Sequence, residues 1–212
     1  MTIKELNFPI IYKKDIAIGY GGNQEWFLEK WQRRAGCGST SGANLAAYYA
    51  SNHPQMAIIY DGDILKFNKD EYLHIMQEMY RYMKPGPFGF PFIKKFAKKF
   101  LLYCKKLGMY MDANVLDKYK TIEESFTFVK DNINAGQPIA LLILIHRAKE
   151  IKENTWHWIT VTGYIEYSDN MGASQIIVSN YGKREMISTD ILFEVHPKNK
   201  VRMASFQMLS NK

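Results

Sequence analysis

Gly36-Cys37-Gly38-Ser39-Thr40-Ser41-Gly42-Ala43-Asn44 is a glycine-framed turn that runs straight into an alanine-rich stretch. Alanines recur at helical spacing as far as Ala50, which predicts a closely packed, buried helix to about Ser51. A cysteine that opens a helix lies near unpaired backbone N–H groups and the positive end of the helix dipole, and both favour the thiolate. Cys37 is therefore a candidate nucleophile, with a buried core cysteine as the alternative interpretation.

Length and composition favour one globular domain. The chain has 212 residues, of which 47% are hydrophobic and 23% are charged, enough for a single substantial core. The N-terminus has no apolar run of the signal-peptide type, and the longest apolar run, Ile139 to Ile145, is too short to span a bilayer. We therefore expect one cytoplasmic domain over residues 1–212, with a mainly helical lobe at 1–136 and an antiparallel sheet at 137–212.

The two cysteines, Cys37 and Cys104, predict free thiols. Two cysteines cannot form a disulfide framework, and a single bridge between them would consume the candidate nucleophile. Cys104 falls on the apolar stripe of a helix that we predict from Ile93 to Leu107, where apolar residues recur every three or four positions. We expect Cys104 to be a core residue.

The net charge of +7 comes from one segment of the chain. Residues Met79 to Met111 include eight basic residues and no acidic one, which leaves the rest of the chain at −1. The simplest interpretation of the lysines at 93–107 is a solvated helix face. An acidic substrate, a membrane surface and a nucleic acid are alternative partners for that face. Because the remainder of the chain is not basic, we do not expect a nucleic-acid partner.

Helix signals dominate the first two thirds of the chain. Asn68-Lys69-Asp70-Glu71 and Thr121-Ile122-Glu123-Glu124 have the capping-box pattern and predict helices through about Met83 and Ile133. The first of these helices ends at a run rich in proline, glycine and phenylalanine, from Lys84 to Pro91, which could form part of a cleft rim. The opening stretch before residue 25 carries several glycines and predicts an extended arm and loop.

Strand signals dominate from Ile139 onward. Turn residues at Asp169-Asn170-Met171-Gly172 and Tyr181-Gly182-Lys183 connect consecutive strands closely, which implies antiparallel pairing. The fold class is therefore α+β, with a helical front packed on an antiparallel sheet. We predict five strands, at Ile139 to Ile145, Trp158 to Tyr167, Gln175 to Ser179, Glu185 to Ser188 and about Val201 to Leu209.

A thiolate needs a base, and His157 has the strongest context among the five histidines. It stands at the entry to a strand between Trp156 and Trp158, which could limit the access of water. His146, at the end of the preceding strand, is the competing candidate. The others are predicted to be structural or surface residues; they are His53, His74 and His196.

Asn180 is the candidate that would orient the base. If the strand from Trp158 pairs with the strand from Gln175, the end of the second strand returns to the level of His157. A catalytic imidazole needs a third group on its far ring nitrogen, and Asn180 is placed to be that group. The alternative is an ordinary turn residue at the start of Asn-Tyr-Gly, because asparagine favours turns.

The order of a cysteine that opens a helix, then a histidine and an asparagine on a following antiparallel sheet, resembles the papain-like cysteine peptidase superfamily. Within it, two segments resemble the bacterial C39-like peptidases: Gly36-Cys37-Gly38-Ser39-Thr40 and His157-Trp158-Ile159-Thr160-Val161-Thr162-Gly163-Tyr164. The Gly136-Gln137-Pro138 turn before a buried strand adds to this resemblance, which covers roughly Gln24 to Ser188. It implies a papain-like fold with the nucleophile helix packed on the sheet.

The resemblance implies a role for each matching residue. Cys37 would be the nucleophile, His157 the general acid and base, and Asn180 the orienting residue. Gln32 would donate to the oxyanion, together with the backbone N–H of Cys37. We expect the residues that flank the catalytic pair to line the substrate site; they are Gly36, Gly38, Trp156 and Trp158.

Four departures from the family pattern are visible. Gln32 precedes the cysteine by five residues rather than six, so Gln24 or Asn23 could take its place. Ser39 stands where many members have proline. C39-like members commonly use aspartate where this chain has Asn180. Tyr181 follows that asparagine directly, whereas papain has a tryptophan two residues after it.

The resemblance implies a cysteine peptidase or amidase that forms a thioester acyl-enzyme, with no cofactor and no metal. The substrate would be a peptide or another amide, and the lysine-rich segment leaves room for an acidic one. Two alternatives on the same fold stay open: a noncatalytic peptide-binding module, and an acyltransferase or deamidase whose acceptor is not water. The basic helix leaves open contact with a membrane surface.

Overall fold

The computed structural model of the protein describes residues 1–168 and 172–209. Of the predicted turn at Asp169-Asn170-Met171-Gly172, the first three residues lie outside the described residues. The helices are α1 (Lys30–Ala35), α2 (Cys37–Asn52), α3 (Lys69–Tyr82), α4 (Ile93–Lys106), α5 (Ile122–Asn134) and α6 (Thr189–Leu192). The strands are β1 (Thr2–Glu5), β2 (Ile10–Lys13), β3 (Ile16–Tyr20), β4 (Met111–Leu116), β5 (Ile139–Ile145), β6 (His157–Glu166), β7 (Gln175–Asn180), β8 (Lys183–Ser188) and β9 (Lys200–Met208).

Seven of the described strands form one sheet in the order β4-β9-β5-β6-β7-β8, with β1 added alongside β6. Every pair in this sheet is antiparallel. The long strand β6 is central, because its first half pairs with β5 and its second half with β1. A separate hairpin, β2-β3, lies outside the sheet.

Helices cover both faces of the sheet. Phe206 of β9 packs against Phe96 and Phe100 of α4, with ring centroids 6.4 and 4.6 Å away. The preceding residue, Ser205, hydrogen bonds to Asn132 of α5 at 2.5 Å. Because successive side chains of a strand point to opposite faces, α4 and α5 lie on opposite sides of the sheet. The structure confirms an α+β fold with helices packed on an antiparallel sheet.

Helix α2 is the most buried helix of the structure. Every residue from Cys37 to Ala50 is buried, and the alanines on this helix allow it to pack closely against α3 and the sheet. Its N-terminus follows Gly36, where a side chain would not fit: an added Cβ would lie 2.4 Å from the Gln32 carbonyl oxygen. This crowding explains the glycine that precedes the cysteine.

Sequence patterns located the helices α2, α3, α4 and α5 and the strands after Ile139 to within about two residues. The predicted caps form: Asn68 accepts from the Asp70 N–H, and Thr121 from the Glu124 N–H. The predicted helical lobe, residues 1–136, also contributes to the sheet, because its strands β1 and β4 pair with strands of the main sheet. Strand β1 has four exposed residues, and β4 has six of which only Met111 is fully buried, so neither carries a strong signal without its partner, β6 or β9.

Within residues 1–168 and 172–209, none of the helices combines the length and the apolar character that a membrane crossing requires.

Candidate functional site

The imidazole of His157 and the amide of Asn180 are in direct contact. The Nε2 atom of His157 lies 2.9 Å from Oδ1 of Asn180. The hairpin of β6 and β7 creates this contact, because Thr160 pairs with Ser179 and the two site residues lie just beyond that pair. The structure therefore brings together two of the predicted site residues by strand register.

The Asn180 amide is held in one orientation. Its Nδ2 atom donates to Oδ1 of Asn154 at 3.0 Å and to Oε2 of Glu185 at 2.9 Å. With both N–H groups directed at these oxygens, Oδ1 faces His157 as an acceptor, and the Nε2 atom of the imidazole must carry the proton. Nδ1 of the neutral ring is then unprotonated and free to accept a proton. Asn154 and Glu185 were not among the predicted site residues.

Tyr181 covers the His157 ring. The two rings are stacked with centroids 4.6 Å apart and planes 8° apart. Tyr181 has a φ of 48° and Gly182 a φ of 73°, as the two central residues of a type I′ hairpin turn require. Positive φ is uncommon for a bulky residue, and here it directs the ring onto the imidazole. Trp156, which directly precedes His157 in the chain, also has a positive φ, of 55°.

Cys37 is the first residue of α2 and lines the same narrow pocket as His157. Both residues line one narrow pocket, together with Gln24, Tyr181 and other residues of α2 and the hairpin. The same cysteine also lines a larger cleft on its other side. The thiol therefore lies at the junction of the histidine pocket and the cleft. It is 8% exposed, and both cysteines of the chain are free.

Burial determines the resting protonation of the pair. Burial raises the pKa of the Cys37 thiol, and hydrogen bonds from the backbone N–H groups of Trp158, Gly38 and Cys37 itself offset part of that rise. Burial lowers the pKa of His157 to about 4, and the hydrogen bond with Asn180 opposes that change. At neutral pH the site therefore holds a neutral thiol beside a neutral imidazole.

Gln24, rather than Gln32, shares the pocket of Cys37. The side chain of Gln32 exchanges two hydrogen bonds with Gln77 of α3, at 2.8 and 3.0 Å, and lines neither the pocket nor the cleft. Gln24 is buried and its Nε2 donates to the Arg33 carbonyl at 2.7 Å, which leaves its second N–H uncommitted. Its Oε1 is buried and has no hydrogen-bond partner among the described residues.

The oxyanion role predicted for Gln32 thus has no support in the geometry. The physical reason is that Gln32 lies within α1, where its side chain bonds to Gln77 of α3, whereas Gln24 lies in the short turn before α1 and lines the pocket of Cys37. Asn23 was the other alternative for the oxyanion role. Its side chain instead caps a short 3₁₀ turn, where it accepts a hydrogen bond from the Glu25 N–H.

The larger cleft is an apolar groove of about 250 Å³. This volume is close to the lower end of ligand pockets, which run from about 300 to 1,000 Å³. One wall is the loop from Pro87 to Pro91, as the proline-rich run suggested, and the opposite wall includes Leu142 and Leu144 of β5. Room for a side chain therefore lies directly beside the Cys37 thiol.

Some of the predicted substrate-site residues line the cavities, and the others do not. Trp156 is 56% exposed and lines the cleft. Trp158 lines both cavities but is held rigidly, since its Nε1 donates to the Phe90 carbonyl at 2.8 Å and its ring stacks on Phe96. Gly38 faces the Trp158 ring, with 3.4 Å between that ring and an added Cβ, and Gly36 lines neither cavity.

The competing histidine lies away from the thiol. His146 lines neither cavity, and both of its ring nitrogens are engaged: Nε2 lies 3.2 Å from the Leu192 carbonyl and Nδ1 accepts the Ala148 N–H at 3.1 Å. In the part of the chain that the structure describes, no group of three or more histidine, cysteine, aspartate and glutamate side chains is placed to hold a metal ion.

Comparison with known proteins gives no relative for this chain: a scan against models of protein families finds no match, and a search of curated proteins finds none either.

Proposed function

We propose that this protein is a cysteine peptidase or amidase of the papain-like type, related to the C39-like peptidases, with its site within one domain. The observation that carries the proposal is the arrangement of three residues. Cys37 opens a buried helix and shares a pocket with His157, and the far nitrogen of that imidazole is bonded to Asn180 at 2.9 Å. A nucleophile, a base and an orienting group are what covalent acyl transfer requires.

Because Nε2 of His157 carries the proton in the resting protein, Nδ1 is the nitrogen that can accept a proton. Nδ1 of His157 takes the proton of the Cys37 thiol as the sulfur attacks the carbonyl carbon of the substrate. The resulting imidazolium then gives that proton to the leaving amine, and a thioester forms. Water, deprotonated by the same nitrogen, hydrolyses the thioester and restores the thiol. Asn180 stabilises the imidazolium by accepting from Nε2 throughout.

Two donors are available for the oxyanion of each tetrahedral intermediate. One is the backbone N–H of Cys37 at the start of α2, where the helix dipole adds to its effect. The other is the uncommitted N–H of the Gln24 amide. Removal of one such donor typically lowers turnover by about 10² to 10³. We therefore expect that loss for Gln24→Ala and a much smaller change for Gln32→Ala, measured as kcat on a peptide substrate.

Thiol alkylation tests the catalytic pair without knowledge of the substrate. We expect iodoacetamide to modify Cys37 much faster than Cys104, whose thiol is fully buried and has its pKa raised to about 12. Peptide mapping by mass spectrometry would measure both rates in one sample. His157→Ala should slow the modification of Cys37 while leaving Cys104 unchanged, because only the first thiol has a base beside it.

Equal and slow modification of both cysteines would contradict catalysis and favour a noncatalytic peptide-binding module. The burial of Cys37 and its raised pKa are the observations that favour this second function. Incubation with peptides in the presence and absence of an added amine would then separate a hydrolase from an acyltransferase. Any activity must disappear in Cys37→Ala.

A further inference from the structure

The cleft beside Cys37 contains a single charged side chain. Among the described residues that line it, all but the cysteine and Arg34 are apolar, aromatic, glycine or proline. The aromatic ones are Trp31, Phe88, Phe90, Trp156 and Trp158. Arg34 is exposed on α1 and lies three positions before the nucleophile in the chain. A lone guanidinium in an otherwise apolar groove is a specificity element, because it can pair only with an anion supplied from outside.

Arg34 has no partner within the described part of the chain, where the other cations near the site are engaged. The neighbouring guanidinium of Arg33 donates to the carbonyl oxygens of Phe27 and Leu28. The ammonium of Lys95 lies over the Phe90 ring, 5.3 Å from its centroid. This contact places a second positive charge behind an aromatic wall of the same cleft. The electrostatic character of the cleft is therefore positive, with no acidic residue among the lining residues.

We propose that the cleft binds a substrate with an apolar side chain next to a carboxylate, and that Arg34 binds that carboxylate. This proposal rests on the proposed peptidase or amidase function. The apolar side chain would occupy the groove between the Pro87–Pro91 loop and β5, and the carboxylate would lie at the α1 rim. Arginine suits this role because its planar fork can bind both carboxylate oxygens at once.

The carboxylate can come from two sources. It can be the side chain of an acidic residue beside the apolar one, or the C-terminal carboxylate of a short peptide. The volume of about 250 Å³ accommodates an apolar side chain in either case. The shared requirement is a negative charge close to the bond that Cys37 attacks, because Arg34 and Cys37 line the same cleft.

Matched peptides test the proposal. We would use blocked hexapeptides with one central leucine flanked by either glutamate or glutamine, and the glutamine peptide again with a free or an amidated C-terminus. We expect kcat/KM to be about tenfold higher for the peptide that carries the recognised carboxylate, the size expected for one partly exposed charge-assisted contact. Arg34→Met should abolish this preference, so that the charged and the neutral peptide are turned over at the same kcat/KM.

Lys30→Met is the matched control. Lys30 is exposed on the same helix but does not line the cleft, so this substitution removes an equal charge outside the site. We expect it to keep the carboxylate preference. An equal loss of preference in Lys30→Met and Arg34→Met would mean general electrostatic attraction and would overturn the proposal. A preference that survives Arg34→Met would overturn it as well.

Binding to the inactive chain separates this proposal from the proposed function. Tryptophan fluorescence of Cys37→Ala should report peptide binding, because Trp31, Trp156 and Trp158 line the cleft. Carboxylate-selective binding that depends on Arg34, without turnover by the unaltered protein, would support the site and contradict the peptidase. Equal binding of charged and neutral peptides, or binding of none, would overturn the role of Arg34.

Discussion

At the scale of single residues, the half-buried carboxylate of Glu185 acts on the imidazole of His157 through the Asn180 amide. Glu185 accepts from Nδ2 of Asn180, and Oδ1 of the same amide accepts from the histidine. A negative charge at the end of this chain of hydrogen bonds favours the imidazolium that the proposed mechanism requires. Glu185 is in this view a positioning residue that never touches the substrate.

We predict that Glu185→Gln lowers the rate of Cys37 alkylation about threefold to tenfold, the loss expected when one charge-assisted bond becomes neutral. The acid limb of the rate should also move to lower pH, because removal of a nearby negative charge disfavours protonation of His157. Alkylation rates between pH 3.5 and 8 would measure both effects.

Asp190→Asn is the control, since it removes an exposed carboxylate from α6, outside both cavities. A pH profile of Glu185→Gln that coincides with that of Asp190→Asn would refute the positioning role.

The buried imidazole also predicts a pH-dependent stability. The pKa of His157 is lowered to about 4, against a value of about 6.5 in an unfolded chain. Between these pH values the unfolded chain binds more protons than the folded one. The stability that comes from the neutral folded ring is therefore complete above about pH 6.5 and is lost as the pH falls toward 4.

When the pH is lowered from 7 to 4.5, the free energy of unfolding falls in both chains. We predict that the fall is about 2 kcal/mol smaller in His157→Gln than in the unaltered protein. Urea unfolding at the two pH values would measure the difference. His74→Gln, at an exposed histidine of α3, should follow the unaltered protein. Equal losses in all three chains would show that the imidazole of His157 is not held neutral by burial.

At the scale of elements, the β7-β8 hairpin turn holds Tyr181 in a strained backbone conformation, and this conformation places its ring over His157. Tyr181 holds a φ of 48° that asparagine adopts far more readily than tyrosine. We predict that Tyr181→Asn leaves the free energy of unfolding within about 1 kcal/mol, because relief of strain offsets the lost stacking. Alkylation of Cys37 should nevertheless slow severalfold, because the His157 ring loses its cover.

The β2-β3 hairpin supplies the comparison for that substitution. Lys14 has the same φ of 48° in a turn outside the main sheet, so Lys14→Asn relieves similar strain away from the site. It should leave the alkylation rate unchanged. If both variants slow alkylation equally, the stacking of Tyr181 on the imidazole has no functional role.

Local sequence determined most of the elements, because caps, prolines and periodicity act within a few residues. The capping residues Asn68 and Thr121 illustrate this, because each accepts a hydrogen bond from an N–H of the first turn of its own helix. The strands β1 and β4 escaped prediction, because their stability comes from pairing with β6 and β9, which are distant in the chain.

At the scale of the whole molecule, one buried amide joins the helices to the sheet. Oδ1 of Asn44 on α2 accepts from the Gly22 N–H at 2.8 Å and from the Tyr72 hydroxyl at 2.7 Å. Its Nδ2 donates to the hydroxyls of Thr160 at 3.1 Å and Ser179 at 3.4 Å. This side chain therefore connects the loop after β3 and helix α3 with strands β6 and β7, and it lines the same pocket as Cys37 and His157.

We predict that Asn44→Leu lowers the free energy of unfolding by about 3 kcal/mol, because it leaves several buried polar groups without partners. Chemical unfolding would measure the loss. Asn52→Leu, on the last turn of the same helix where the side chain is half-buried, should cost about 1 kcal/mol or less. Similar costs for the two variants would show that the network at Asn44 does not join the parts of the fold.

The sequence by itself determined the four long helices, the later strands, and Cys37, His157 and Asn180 as candidates, because capping, periodicity and strand register are local or nearly local in the chain. Only the tertiary structure decided that Gln24 rather than Gln32 reaches the pocket, that Glu185 supports Asn180, and that Arg34 enters an apolar cleft. These placements depend on how distant segments pack. No spacing along the chain records that packing, since Gln24 and Cys37 line one pocket although the whole of α1 lies between them in the chain.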